Sequence, residues 1–163
     1  MASSVVTTVA RRGQPGIGEG HELVASASDG GQNFGWRVME GLHCRGGGCT
    51  QLPPGDCDDS GMTSPMVEYR HEQGANPNCD SVTGGVVYRG SAIPWLRGTY
   101  FYSDYCDGRT WTFRFANGAI TEQQEITQTM GTLGTNISGY GNDNDGEVYI
   151  TAANGSVYRI DPM

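Results

Sequence analysis

The chain contains no lysine: its ten cationic side chains are all arginine, against 18 acidic residues and a formal net charge of −8. That absence removes Schiff-base lysine chemistry and the phosphate-binding lysine of a P-loop. With no arginine cluster either, nucleic acid is disfavoured as a partner, because neutralising phosphates requires a basic face. The acidic surplus reads as solubility. No apolar run approaches the roughly 20 residues of a membrane-spanning helix, so no membrane partner is expected. The five cysteines show no C-x-x-C spacing, which weakens zinc and thioredoxin-like readings and favours a secreted or periplasmic disulfide framework. The N-terminal stretch MASSVVTTVARRGQPG has no apolar core and no cleavage signature, so no signal peptide is visible in it. A G-x-S-x-G nucleophile elbow is also lacking, as is any helical periodicity.

What is present is strand and turn. Between residues 81 and 115, VVY, TYFYSDY and TWTFRF alternate aromatic or branched residues with small or polar ones, the period-2 signal of a half-buried sheet. RGSAIP, CDGR and ANGA supply turn chemistry between and after them. Such a meander reads as one blade of a β-propeller. Strands are expected near 5–10, 22–27, 34–40, 66–70, 83–89, 99–105, 110–115, 120–127, 147–151 and 156–160. That is about ten strands, where four blades of four strands need about sixteen. The expected fold is therefore all-β: a partial, open propeller of two to three four-stranded antiparallel blades, whose end strands and inner walls lack neighbours; self-association is the first expectation for completing it, with the rest of a longer protein or an altered compact sandwich as the other routes. Residues 1–20 read as an N-terminal edge segment. Residues 21–163 form the partial propeller, with a disulfide-pinned loop at 41–65.

Cysteine placement suggests two bridges. Cys44 and Cys57 bracket the Gly/Pro-rich excursion RGGGCTQLPPGD, and closing it is worth about 3 kcal/mol. Cys79 precedes the first strand of the meander and Cys106 ends the second, so antiparallel pairing brings them to one rim. Cys49 is left over and remains a rival partner in either pair.

Several patterns invite chemistry and fit it poorly. The run Asn142-Asp143-Asn144-Asp145-Gly146-Glu147 resembles half a calcium loop, but its first ligand position is Gly141 and no glutamate stands at the twelfth; a polar hairpin turn accounts for it. His21, His43 and His71 lie far apart. His71, beside Glu72, is the best acid/base candidate among them, although neighbours on a strand point to opposite faces. The carboxylate pairs Asp58-Asp59 and Asp104/Asp107 read as turn solvation. The meander's aromatics, Trp95, Tyr100, Phe101, Tyr102, Tyr105 and Trp111, are mainly core. Tyr105 at a strand tip should lie on a rim, where a sugar ring could stack. Asn136-Ile-Ser138 and Asn154-Gly-Ser156 are glycosylation acceptors in a eukaryotic source.

The strings GQNFGWRVMEGLHC (Gly31 to Cys44) and SPMVEYRHEQG (Ser64 to Gly74), the meander, and NISGYGNDNDGEVYITAANGSVYRIDP together resemble the C-terminal part of the glucose/sorbosone dehydrogenase family. The likeness covers residues 18 to 162. This family comprises six-bladed propellers, including soluble pyrroloquinoline-quinone (PQQ)-dependent sugar dehydrogenases; the match runs closest to its cysteine-containing, hedgehog-interacting-protein-like branch. The resemblance implies a quinone pocket whose catalytic histidine comes from N-terminal blades that match nothing here. It also implies a lysine at the position of Cys106 and arginines at those of Asn136 and Ser138. A quinone with several carboxylates needs cationic partners, which these three residues cannot supply. The expectation is a non-catalytic binding module without a resident cofactor, for a carbohydrate or protein ligand. Its candidate rim residues are His71, Asp80, Asp104, Tyr105 and Asn136. The alternative is a PQQ- and calcium-dependent sugar oxidoreductase, active only with the missing half or in an assembled oligomer.

Overall fold

The computed structural model describes residues 6–9, 21–26, 32–35, 38–45, 51–52, 57–70, 81–131, 133–134 and 136–162. His71, Cys79, Asp80 and Cys49 lie outside them. The chain divides into two compact units, Met1–Val82 and Thr83–Met163.

Among the described residues, the first unit holds two three-stranded antiparallel sheets. Strand β1 (Val6–Val9) lies at the edge beside β2 (His21–Ser26). Three very short strands follow, β3 (Met39–Glu40), β4 (His43–Arg45) and β5 (Gln51–Leu52), paired in that order. Strand β6 (Val67–Arg70) closes the other side of β2. The strand expected over 34–40 shrinks to β3 because the carbonyl of Gly35 accepts from the N–H groups of both Val38 and Met39, at 2.7 Å each; a turn competes with the ladder and wins. The long loop expected at 41–65 contains β4 and β5, and the Cys44–Cys57 disulfide pins it, with Cα atoms 5.7 Å apart.

The second unit is the meander and its successor. Strands β7 (Val82–Val87), β8 (Thr99–Asp104), β9 (Thr110–Ala116) and β10 (Ala119–Glu125) form one four-stranded antiparallel sheet in sequential order. Strands β11 (Ile137–Asn142), β12 (Val148–Ala152) and β13 (Val157–Arg159) form a three-stranded one. A single 3-10 turn, Pro94–Leu96, sits between β7 and β8. The chain is thus an all-β partial propeller. Of the described sheets only β7–β10 reaches the four strands expected of a blade.

Alternation explains the packing. Phe101 pairs with Thr112, while Tyr100 and Tyr102 pair with Phe113 and Trp111, so the two faces of the sheet carry different side chains. On one face Tyr102 stacks on Trp111 at 5.4 Å, and Tyr100 lies 5.1 Å from Phe113. On the other, Phe101 joins Tyr88, Ile93, Ile137, Val148 and Ile150 in a buried core shared by both sheets. Full burial of such a side chain is worth about 1.5–3 kcal/mol.

A carboxylate ties the two sheets together. Glu147, just before β12, accepts from the Tyr88 hydroxyl at 2.6 Å and from the backbone N–H groups of Ser91 and Ala92 at 2.9 and 3.0 Å. Tyr88 accepts in turn from the Ile93 N–H at 2.8 Å. A Cβ at position 90 would stand 2.3 Å from Glu147 Oε1, so any side chain there must displace that carboxylate. These bonds, the Tyr88 hydroxyl first, hold the Glu147 carboxyl below its usual range, and burial raises Tyr88.

Candidate functional site

The β8–β9 turn and the segment from β10 to β11 flank a half-open cavity of about 520 Å3 with a lining of mixed polarity. Asp107, Gly108 and Thr110 line it from the turn; Thr127, Gln128, Leu133 and Gly134 line it from the segment. Its size falls in the range of about 300–1,000 Å3 typical of small-molecule sites.

The turn is rigid because its own carboxylates cap it. Asp104, fully buried, accepts at Oδ1 from the N–H groups of Cys106 and Asp107, at 2.7 and 3.0 Å. Asp107 does the same one step on, taking the Arg109 N–H at 2.9 Å and the Arg109 Nε at 2.6 Å. The Arg109 guanidinium lies 5.1 Å from the centre of the Trp111 ring, within cation–π range. The cation of this turn is therefore neutralised by an adjacent carboxylate and held over an aromatic face.

Behind the wall is a cluster of hydroxyls. Thr110 Oγ1 and Ser103 Oγ are 2.7 Å apart, and Ser103 also bonds the Tyr140 hydroxyl. Burial, opposed by bonds to Ser103 and Thr110, pushes Tyr140 up to about 12, so it stays a neutral donor. The Thr110 N–H donates to Thr127 Oγ1 at 3.0 Å, and Thr127 donates to Glu125 at 2.8 Å. These bonds fasten the start of the β10–β11 segment to β9.

The candidate residues read from the sequence fare differently. Asp104 is not on the rim; its carboxylate points inward and serves the turn. Tyr105 is half-buried in that turn. Asn136 lies two residues beyond the cavity wall, in a left-handed conformation with φ of 63°, and its carbonyl accepts from the Ala153 N–H at 2.9 Å. Cys106 is disulfide-bonded, while Cys79, its expected partner, lies outside the described residues, as do His71 and Asp80. Ser138 donates to the Thr151 carbonyl at 3.2 Å. Sequence reading missed Thr127 and Gln128, which belong to no motif; Asp107, read as a turn carboxylate, does bond within its turn.

A second polar pairing appears in the first unit: His43 Nε2 lies 3.0 Å from Glu68 Oε1, and Glu68 Oε2 accepts from the Leu42 N–H at 2.7 Å. It joins β4 to β6 beside the disulfide. Among the described residues no three His, Cys, Asp or Glu side chains gather as a metal site would need, and no helix is long and apolar enough to cross a membrane.

Fold and rim define a propeller-type all-β protein with a cavity of mixed polarity built on the β8–β9 turn and the β10–β11 segment. No protein-family model matches the chain, and no solved structure does. The chain is 28% identical to the HIPL1 protein of Arabidopsis thaliana, over an alignment 163 positions long that covers 86% of this chain and 22% of that protein. The chain thus spans less than a quarter of this relative's length.

Proposed function

We propose that this chain is a non-catalytic binding module that takes a neutral, hydroxyl-rich ligand, a carbohydrate, in the rim cavity. The observation that carries the reading is the state of the charges. Arg109, the cation of the rim turn, is paired with Asp107 at 2.6 Å, and the three positions at which the family resemblance implies the cations of a quinone pocket hold a disulfide-bonded cysteine, an asparagine and a serine. A cofactor bearing several carboxylates does not fit that donor set. A sugar does, because it asks for paired hydroxyls, amides and carboxylates rather than free positive charge. The disulfides favour a secreted or periplasmic setting. Self-association through strand edges belongs to the same reading; β10 is exposed along most of its length.

Two assays on the full chain test this. A glycan array followed by calorimetry should give saturable sugar binding that Asp107→Ala weakens about tenfold, the loss of one charge-assisted contact. Supplying PQQ and calcium with aldoses should give no dye reduction. Robust turnover would favour the alternative, an oxidoreductase completed by assembly, and a glycan array without a hit would remove the carbohydrate.

A further inference from the structure

The second unit contains two N-x-S sequons, Asn136-Ile-Ser138 and Asn154-Gly-Ser156. A glycosylating transferase reads an asparagine amide together with the hydroxyl two residues on, so the state of those two groups decides what a sequon can do. The fold treats the pairs in opposite ways. Asn136 is half-buried and left-handed, with φ of 63°, and precedes Ile137, a fully buried member of the core shared by both sheets. Its carbonyl accepts from the Ala153 N–H at 2.9 Å. The Ser138 hydroxyl is engaged as well, donating to the Thr151 carbonyl at 3.2 Å.

Asn154 stands exposed at the tip of the turn that joins β12 to β13. Backbone bonds close this turn: the Gly155 N–H donates to the Ala152 carbonyl, and the Ala152 N–H to the Ser156 carbonyl, each at 3.0 Å. Gly155 takes φ of 89°, which glycine adopts without strain. Asn154 Oδ1 accepts from the Ser156 N–H at 2.9 Å, the local bond of an Asx turn. That bond uses only the acceptor end of the amide. Both N–H groups of Nδ2 remain as donors, and no described residue takes them.

We propose that Asn154 is an N-glycosylation site, modified when the chain passes through a eukaryotic secretory compartment, and that Asn136 stays bare in the folded protein. The donor class is an oligosaccharide linked to a lipid through a diphosphate. Asn154 Nδ2 forms a bond to the anomeric carbon of the first sugar, and the bond from that carbon to the phosphate oxygen breaks. The lipid diphosphate leaves with the electron pair, one Nδ2 proton is released, and nothing is oxidised or reduced. The bulky, solvating glycan then stands at one end of β13, the edge strand of its sheet, where Val157 is 64% exposed, and shields an otherwise open edge. The inference rests on the secreted setting proposed above and is independent of the ligand in the rim cavity.

The test expresses the full chain behind a cleavable secretory leader in yeast and analyses protein from the secretory lumen and the medium. A single gel shift, removed by peptide N-glycosidase and mapped by peptide mass to Asn154, is expected. Asn154→Gln should lose it completely. Ser156→Ala should lose it too, although the Ser156 N–H bond to Asn154 Oδ1 survives that change, whereas Ser156→Thr should retain it. Asn136→Gln should leave the shift as it is. Lumenal chain bare at Asn154, or chain carrying a glycan on Asn136, would overturn the proposal. Because the leader is supplied, a bare chain counts against the site and not against the secreted setting, which is read from where the natural chain accumulates.

Discussion

The two units of this chain secure similar short strands by different means. In the first, β3 and β5 have two residues each and β4 three, lengths below what gives a sheet independent stability. There a covalent bridge between Cys44 and Cys57 does what the ladder cannot. In the second unit, strands of up to seven residues bury a continuous core, and the Glu147 clasp adds hydrogen bonds at one end of it. One unit leans on redox chemistry, the other on packing. The same amino-acid style, short strands and glycine turns, thus yields two regions that respond to different insults.

Phe101→Ala should produce the largest effect. Phe101 is 1% exposed at the centre of the shared core, and its truncation should cost about 3–5 kcal/mol, read as lost protection of second-unit amides in hydrogen exchange. Replacing Cys44 and Cys57 by serine should cost about 3 kcal/mol, for a bridge closing a separation of 13 residues. That loss should fall on first-unit amides; equal loss in both units would break the comparison. Gly90→Ala should cost about 1–3 kcal/mol, because the new methyl displaces the Glu147 carboxylate.

Acid sharpens the contrast further. The Glu147 carboxyl titrates below its usual range in the folded protein, chiefly through the Tyr88 hydroxyl. Just below the ordinary glutamate range the unfolded chain therefore binds more protons than the folded one, and stability rises with pH. The clasp's contribution is present above that range and is lost as pH falls through the lower folded value. Glu147→Gln should flatten this acid limb in thermal melts of the second unit and leave the first unit's profile unchanged.

Much of this contrast was legible in the residues. Alternation marked the strands of the meander, and the Gly/Pro-rich stretch between Cys44 and Cys57 suggested its own pin. The Asn142–Glu147 run was rightly a hairpin turn, with Asp143 Oδ1 capping the Asp145 and Glu147 N–H groups at 3.0 and 2.9 Å. Glu147 itself was hidden, because nothing in a polar turn announces that one carboxylate will fold inward to meet Tyr88, 59 positions away. Strand β11 was missed for a different reason: ISGYGN carries two glycines in six residues, which erases the apolar rhythm. Asp104 looked like a rim ligand, yet the Cys106 and Asp107 N–H groups claim it for the turn. The cavity walls at Thr127 and Gln128 come from a crossover segment whose place depends on tertiary contact alone.

In the rim turn the Arg109 cation is neutralised by Asp107. Calorimetric titration of the full chain with PQQ, in calcium-containing buffer, tests it most directly. No saturable binding of the quinone is expected, alongside measurable binding of a neutral sugar. Tight quinone binding that disappears in Arg109→Ala would contradict it, because the guanidinium assigned to Asp107 would then be gripping the cofactor.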